Sequence, residues 1–413
     1  MRNRLLIALA FVVAALDALA ESLAPIDAED PAFAAATRAA PPKLVWHAEI
    51  ARDEYRGNRE MIGKPQLRTG YHGLVLPGDG RALAAIFERE TADLLTGPVT
   101  PGSEALFYRA IDAAGRIGER IPIAAAADFG MLVDRGKGAA AVLGAGRDGT
   151  VPLFLVGAAG QAPRMVPLAL PFAPIQFAAA GSGYLVWLDL GPHRQQTKRP
   201  FHLVRLDAEG RIAWTFAYPR DHYGFLAAAT RVDGFTLAVL NAASLDGIVA
   251  PVVSLLIDPA GKTVAKQTLD LRGGGGPVPT GLHALRGGGF LLTGFWWGPG
   301  GNFVAWLNAE GKLLRYADVT LGGFVEVQWI VPVGDGGFLG TDDKGQLLRF
   351  DRDAKLLWRG ARSSPAAREI SVHDLRALAG NDVLLAGSWG DDDKTKPGEP
   401  YATRYFVERW RFE

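Results

Sequence analysis

Short apolar runs, each introduced by a glycine-rich tight turn, recur along most of the chain. The clearest copies are residues 287–292 (Gly-Gly-Gly-Phe-Leu-Leu) and 335–339 (Asp-Gly-Gly-Phe-Leu). Seven copies lie about 50 residues apart and begin at residues 78, 136, 181, 232, 287, 335 and 380. Gly-Gly, Asp-Gly and similar pairs before an apolar run signal a two-residue β-hairpin. The pattern therefore predicts a repeated pair of strands, A and B, joined by a tight turn.

A second phrase alternates with the first. An apolar strand is followed by a four-residue turn, in most copies Asp or Asn, two further residues and Gly, and then by another strand. The copies are residues 112–115, 157–160, 207–210, 258–261, 308–311 and the degenerate 351–354, which ends in Ala. Asp or Asn opens such a turn through its side chain, and Gly adopts the positive φ. These six turns are predicted to join a third strand, C, to a fourth strand, D.

Because the two counts differ by one, the last repeat lacks a strand D after its strand C, residues 405–412. The segment 43–48 (Lys-Leu-Val-Trp-His-Ala) is similar to strand D elsewhere, as in 211–214 (Arg-Ile-Ala-Trp) and 355–358 (Lys-Leu-Leu-Trp). We therefore expect residues 43–50 to complete the last unit and close a ring. Four strands in a unit of ~40–50 residues are typical of a β-propeller. The sequence predicts an all-β, seven-bladed β-propeller over residues 43–413.

The repeats resemble those of a family of bacterial exported β-propeller proteins. The family pattern is Leu-Asp-Ala-x-Gly-x-x-x-Trp, followed by Asp-Gly-Gly-Phe-Leu-Leu-Thr-Gly. Residues 206–214 and 288–294 carry the resemblance best, and it covers nearly all of residues 43–413. It implies the propeller fold and almost nothing about activity, because the family is largely uncharacterised. The first two repeats depart most from the pattern. The boundaries of blades 1 and 2 are therefore the least well defined by the sequence.

Composition narrows the functional classes only slightly. Glycine accounts for 51 of 413 residues, well above the usual ~7%, as expected for many tight turns. The 44 basic and 44 acidic residues balance, so no electrostatic argument favours a nucleic-acid partner. The chain has no cysteine, which excludes a disulfide scaffold and a lipid-modified cysteine.

The first twenty residues have the features of a secretory signal peptide. Arg2 and Arg4 precede an uncharged apolar run, residues 5–16, and Ala18-Leu19-Ala20 matches an Ala-x-Ala cleavage site. The run is shorter than the ~20 residues of a membrane span, and an uncleaved interfacial anchor is the alternative. We expect cleavage after Ala20, an Ala/Pro-rich linker over residues 21–42, and a periplasmic or secreted protein without a membrane span.

The two sides of the predicted disc differ in their connections. The A–B and C–D turns, on what we call the turn face, are short and uniform. The B–C and D–A connections, on what we call the loop face, are long and varied: residues 52–69, 88–103, 191–200, 272–279, 296–302, 362–368 and 389–400. Function usually resides in loops that exceed the needs of the fold, so the loop face is the predicted binding face. Tolerated insertions are the alternative explanation, since long loops cost little entropy.

Two histidines are the candidate catalytic residues. His72 and His373 occupy the same position of strand A, counted from the tight turn, and ring closure makes their blades neighbours. With Asp374 beside them, they are candidates for acid–base chemistry at the channel mouth. The alternative is a pair of polar residues at strand starts. No His-x-His or His-Glu-x-x-His spacing supports a metal site, and we predict no metal and no cofactor.

The candidate ligand-binding residues lie in or beside the predicted loops. Trp296, Trp297 and Trp389 follow strand B and suit stacking on sugars or anchoring of a partner chain; covering the blade ends is the alternative. The other candidates, in two loops, are His193, Arg194 and His222. The remaining tryptophans are expected in the core: Trp46, Trp214 and Trp358 between blades, and Trp187, Trp306, Trp329 and Trp410 within strands.

These features favour an exported propeller that binds a ligand through the loop face, with a protein partner or a cell-surface glycan as the expected ligand. A glycan-active enzyme, a lyase or hydrolase that uses His72, His373 and Asp374, is the alternative. No nucleophile elbow of the Gly-x-Ser-x-Gly type is present. The sequence leaves enzymatic activity, ligand identity and oligomeric state undecided.

Overall fold

The computed structural model describes twenty segments that hold most of the chain after residue 41. They are residues 42–55, 66–77, 81–91, 105–125, 131–137, 139–144, 150–157, 163–188, 201–218, 226–243, 249–272, 276–285, 287–296, 301–319, 327–333, 337–342, 345–360, 370–378, 382–390 and 401–412. Within these segments the regular structure consists of strands, β1 to β28, without a helix. The chain is therefore all-β, as the turn pattern predicts.

The strands form seven four-stranded antiparallel sheets, the blades of a propeller. Blade 1 comprises β2 (Gln66–Val75), β3 (Ala82–Thr91), β4 (Ala105–Ile111) and β5 (Ile117–Ala125); blade 2 comprises β6 (Met131–Gly136), β7 (Ala139–Leu143), β8 (Thr150–Val156) and β9 (Arg164–Ala169). Blade 3 comprises β10 (Pro174–Ala180), β11 (Gly183–Leu188), β12 (Phe201–Leu206) and β13 (Ile212–Tyr218); blade 4 comprises β14 (Leu226–Thr230), β15 (Thr236–Ala243), β16 (Val249–Ile257) and β17 (Thr263–Leu269). Blade 5 comprises β18 (Pro277–Ala284), β19 (Phe290–Trp296), β20 (Asn302–Leu307) and β21 (Leu313–Val319); blade 6 comprises β22 (Gln328–Pro332), β23 (Phe338–Thr341), β24 (Leu347–Phe350) and β25 (Leu356–Gly360). Blade 7 comprises β26 (Ile370–Ala377), β27 (Asp382–Gly390), β28 (Tyr401–Arg411) and β1 (Lys43–Tyr55).

The first strand of each blade is innermost and lines a central channel. Contacts between innermost strands run around the ring: β2–β6, β6–β10, β14–β18, β18–β22, β22–β26 and β26–β2. Seven apolar cores lie between successive blades, and each draws on two neighbouring sheets. Both faces of each sheet are therefore buried against neighbouring blades, and the blades pack as a ring.

The N-terminal strand completes the last blade, as predicted. β1 pairs with β28 from Lys43 opposite Arg411 to Tyr55 opposite Tyr401. The strand is longer than the predicted residues 43–50, and β2 already begins at Gln66. Both ends of the loop predicted over residues 52–69 are thus strand.

The C–D turns have the predicted geometry. In each described copy the first side chain accepts hydrogen bonds from the backbone N–H groups two and four residues later, and these first residues are Asp112, Asp207, Asp258, Asn308 and Asp351. The fourth residue has a φ of 78° to 86° in the four copies that end in Gly. In the fifth copy Ala354 adopts a φ of 64°. The copy at 157–160 extends beyond the described residues.

Tryptophans of strand D fill the space beneath the turn of the next blade. Trp46, Trp214 and Trp358 are buried, as predicted. Trp46 donates its Nε1–H to the carbonyl of Ala113 at 3.1 Å. A Cβ on Gly115 or Gly261 would lie within 3 Å of Trp46 or Trp214, respectively. Glycine in these turns thus permits the positive φ and also the close approach of the indole ring.

The remaining tryptophans agree only in part with the expectation of core positions. Trp187 and Trp410 are buried, and Trp306 is half-buried. The core prediction is wrong for Trp329, which is 43% exposed. Trp329 lies in an irregular part of β22 with a φ of 53°, and this backbone geometry turns the ring away from the core.

The expected signal peptide, residues 1–20, and all but the last residue of the expected linker, 21–42, lie outside the described residues. In the described segments no helix is long and apolar enough to cross a membrane.

Replacing Ala354 by Gly is expected to stabilise the protein by about 0.5–1 kcal/mol. A left-handed conformation costs an L-residue roughly 1–2 kcal/mol, and glycine removes this cost. Because glycine also gives the unfolded chain more conformational entropy, the net stabilisation is smaller. Urea unfolding measures the change, with Ala114→Gly as control because Ala114 lies in an equivalent turn without a positive φ. The control should lose stability, and a loss in both variants would contradict the strain at Ala354.

Candidate functional site

Five innermost strands carry an irregularity of pairing at the same level of the channel. The residues at these β-bulges are His72 in β2, Ile175 in β10, Thr280 in β18, Trp329 in β22 and His373 in β26. A bulge redirects side chains, and bulges are common beside active and binding sites. The structure therefore places the two candidate histidines at equivalent positions of neighbouring strands.

His373 lies between blades 7 and 1. Its Nε2 is 2.7 Å from Oγ of Ser388, and its ring stacks on Tyr71 with centroids 5.8 Å apart. The ring of Tyr405 also lies beside His373, with the two ring centroids 6.0 Å apart. Burial lowers the pKa of His373, and the charge of Asp374 partly opposes this effect. His373 is thus a neutral imidazole near pH 7, held by a hydroxyl group and two aromatic rings.

His72 packs in a different interface, between blades 1 and 2. Its ring meets Phe87 edge-on with centroids 6.3 Å apart, and Phe87 packs against the core shared by these blades. Burial lowers the pKa of His72 to about 4. The described contacts of His72 and His373 lie on opposite sides of blade 1, and the described residues hold no group of three metal-binding side chains.

Asp374 belongs to a polar network that joins β26 to β2. Its Oδ1 lies 2.8 Å from Nε of Arg376, and Nη2 of Arg376 donates to Oδ2 at 3.2 Å. The hydroxyl of Tyr71 donates to the same Oδ2 at 3.3 Å. Burial and Asp374 raise the pKa of Tyr71, and Asp374 raises that of Arg376. The carboxylate is therefore compensated by a guanidinium group, which suits an anchoring role better than proton transfer.

Two of the predicted ligand-binding tryptophans lie in the described part of the chain. Trp296 is 2% exposed, stacks near Phe303 and donates Nε1–H to Asp318 at 2.8 Å. This environment favours a packing role. Trp389 is half-buried beside Phe406 and His47, at 4.8 and 5.6 Å between centroids. The other candidates, Trp297, His193, Arg194 and His222, lie outside the described residues.

Three large apolar side chains are exposed on the loop-face halves of the innermost strands of blades 1, 3 and 6. Leu67, Ile175 and Trp329 are 57%, 42% and 43% exposed, and each is the second residue of its innermost strand. Trp329 is also fixed, because its Nε1–H donates to the carbonyl of Val372 at 3.0 Å. These three residues were not predicted from the sequence. The sequence indicates them only by a large apolar residue near the start of strand A.

Buried ion pairs hold strand ends rigidly on the same face. Asp53 accepts hydrogen bonds from Nη2 of Arg68 at 2.8 Å and from the backbone N–H of Thr69 at 3.0 Å. On blade 6, Asp342 accepts from Nη2 of Arg359 at 3.0 Å. These contacts fix the strand ends from which the loop-face connections start.

A cavity of about 940 Å³ occupies the channel beside blades 3 to 7. Small side chains make it wide, among them Ala178, Ala179, Ala228, Ala229, Ala284 and Ala377. Lining residues such as Leu285, Val333 and Leu378 follow the innermost strands directly, so the cavity reaches toward the turn face. Alanine just before the A–B turn is the sequence signal that would have indicated it.

His283 is the one ionisable residue among the described residues that line the cavity. Burial, aided by the charge of Arg376, lowers its pKa to about 4 despite a hydrogen bond to the carbonyl of Ile330. The described part of the cavity wall is thus neutral at physiological pH.

No protein-family model matches the chain, and no curated protein is similar in sequence. Solved structures match in fold. YCF48 bound to a D1 peptide is 11% identical, with 92% of this chain and 97% of that chain covered and a TM-score of 0.50. BamB from Moraxella catarrhalis is 12% identical, with coverages of 89% and 100% and a TM-score of 0.42. The WD40 propeller domain of Doa1 is 9% identical, with coverages of 90% and 97% and a TM-score of 0.46. The structural neighbours are β-propeller proteins, and at these identities the likeness concerns the fold alone.

The contribution of His283 to stability should fall as the pH drops from 6.5 to about 4. A buried histidine with a lowered pKa binds its proton less readily in the folded than in the unfolded state, so acidification favours unfolding. A shift from 6.5 to about 4 at His283 corresponds to about 3 kcal/mol. Urea unfolding across this pH range should show a shallower pH dependence in His283→Gln than in the wild type. Equal slopes in the two proteins would contradict a neutral, buried His283.

Proposed function

We propose that this protein is an exported β-propeller that binds a partner through its loop face. The observation that carries the proposal is the exposure of Leu67, Ile175 and Trp329 on the loop-face halves of three innermost strands. Exposed large apolar side chains on one face of a protein are a feature of interaction sites, and Trp is enriched among the residues that dominate binding energy.

Trp329 and the strand that carries Leu67 are held in fixed positions, which favours binding. Trp329 is held by the hydrogen bond to Val372 and by a strained backbone conformation. The Asp53–Arg68 pair fixes the strand that carries Leu67. Backbone strain of this kind concentrates at functional sites, and a surface that is already ordered loses less entropy on association.

A polypeptide segment of a partner protein is the ligand class that we favour, with a cell-surface glycan as the alternative. An extended segment presents apolar side chains to Leu67 and Ile175 and a flat group to the indole ring of Trp329, whereas a sugar would use chiefly the indole. YCF48, whose solved structure contains a D1 peptide, is an example of a propeller that holds a peptide.

Export is part of the proposal and rests on the sequence of residues 1–20. Expression of the full chain in a bacterium, followed by intact-mass measurement of the periplasmic and secreted fractions, tests it. A product that begins at Glu21 is expected. A cytoplasmic product that keeps Met1 would contradict export without affecting the binding face.

A glycan-active enzyme is the second candidate, and one contact favours it: the 2.7 Å approach of His373 Nε2 to Ser388 Oγ. The pair lies beside Asp374, but that carboxylate is engaged by Arg376 and Tyr71. Assays against a panel of polysaccharides, with His373→Ala beside the wild type, separate the two functions. Turnover that is lost in His373→Ala would favour the enzyme.

Substitutions in the apolar group should abolish partner capture. We expect Ile175→Glu and Trp329→Gly each to reduce the amount of cross-linked partner from a cell-envelope extract at least tenfold. Glycine suits the positive φ at residue 329, so this variant removes the indole without straining the fold. Quantitative mass spectrometry of the captured proteins provides the measurement.

Val264→Glu is the matched control, because Val264 is 50% exposed on an outermost strand of blade 4. It should capture the partner as well as the wild type. Equal loss in all three variants, or unchanged capture by Ile175→Glu and Trp329→Gly, would refute the proposed face. A glycan array probed with the same proteins decides between the two ligand classes.

A further inference from the structure

We propose that the channel cavity is a second binding site, which takes an uncharged small molecule with both apolar and hydrogen-bonding groups. The site is separate from the loop-face partner site. It is lined from the ends of innermost strands near the turn face, including Ala284, Leu285 and Val333, whereas Leu67, Ile175 and Trp329 lie at strand starts.

The size and shape of the cavity fit a small-molecule ligand. Its volume of about 940 Å³ falls within the range of roughly 300–1,000 Å³ that is common for ligand pockets. Alanines on four innermost strands leave space in the cavity because their side chains are small. Ala179 and Ala284 are exposed to the channel. Leu282, Leu291 and Pro332 supply further apolar surface.

Hydrogen-bonding groups are also available in the wall. Each innermost strand stands first in its sheet and pairs with one neighbour only, so its inner edge presents backbone N–H and C=O groups to the channel. Thr230 and His283 add two polar side chains. Because a neutral imidazole that donates one ring N–H to Ile330 retains an acceptor nitrogen, His283 suits a ligand with a hydroxyl or amide donor.

The expected absence of charge on the ligand follows from the ion pairing of the charged residues near the cavity. Arg376 lies close enough to His283 to affect the pKa of that imidazole, and its side chain is partly exposed. Its charge is compensated by Asp374 at 2.8 Å. An ionic ligand would leave water without gaining an unpaired counter-charge among the described lining residues, at a large desolvation cost. The wall therefore favours an uncharged molecule.

A pair of fluorescent dyes with the same aromatic body tests the site. N-phenyl-1-naphthylamine is uncharged, and 1-anilinonaphthalene-8-sulfonate carries a sulfonate. We expect saturable binding of one uncharged dye per chain, with at least tenfold weaker affinity for the sulfonate. Titration by fluorescence gives the affinities, and native mass spectrometry gives the stoichiometry.

Substitutions that fill the cavity with a large side chain should prevent binding of the uncharged dye. Ala284→Trp is expected to weaken its binding at least tenfold, and Ala179→Phe provides a second variant on a different blade. Ala114→Trp is the matched control, because Ala114 lies in an exposed C–D turn; its affinity should stay within twofold of the wild type. Thermal unfolding of each variant confirms that the ring is intact.

Each other outcome overturns a part of the proposal. Absence of saturable binding by the uncharged dye refutes the site, and equal or tighter binding of the sulfonate refutes its preference for uncharged ligands. Undiminished binding in folded Ala284→Trp and Ala179→Phe places the dye elsewhere. The loop-face variants Ile175→Glu and Trp329→Gly should leave dye binding unchanged, so failure here is distinguishable from failure of the partner proposal.

Discussion

The antiparallel pairing of β1 with β28 is the contact on which the ring depends. Without it, blade 7 lacks its outer strand, and the cores on both sides of that blade lose Trp46, Ala48 and Leu44. Around the ring, side chains of one blade donate to C–D turn carbonyls of the next: Trp46 to Ala113, Arg164 to Glu209, Arg231 to Ala309 and Arg315 to Arg352. Each blade thus orients its successor, and the closing strand orients the first blade relative to the last.

This construction separates the two faces of the disc. The turn face is occupied by contacts that maintain the ring, since its Asp-x-x-Gly turns accept hydrogen bonds both from within and from the preceding blade. The loop face carries the exposed side chains of Leu67, Ile175 and Trp329. Between them, small residues leave the channel open over five blades. In the proposed function, binding would use the loop face and the channel, and the turn face would serve chiefly to maintain the ring.

The sequence predicted those features that repeat in register and missed those that depend on local backbone irregularity. Seven blades, the closing strand and the buried Trp46, Trp214 and Trp358 all follow from the spacing of turns. The equivalence of His72 and His373 was also visible, but their packing in different interfaces was not. Trp329 was misassigned because a bulge and a positive φ leave no clear mark in a strand sequence. The channel was predicted, but its wide cavity was not, because an alanine has no functional group and only its position near the ends of four innermost strands indicates a cavity.

The meeting of the chain's ends in blade 7 also sets an order of events during synthesis. Residues 43–55 leave the ribosome long before residues 401–411, with which they pair. Until the last strand is made, β1 is an exposed strand edge, and such edges are prone to pair with other chains. Closed-ring formation must therefore follow translation of the final strand. If the protein is exported as proposed, this delay would keep the chain from becoming a rigid disc while translation is still in progress.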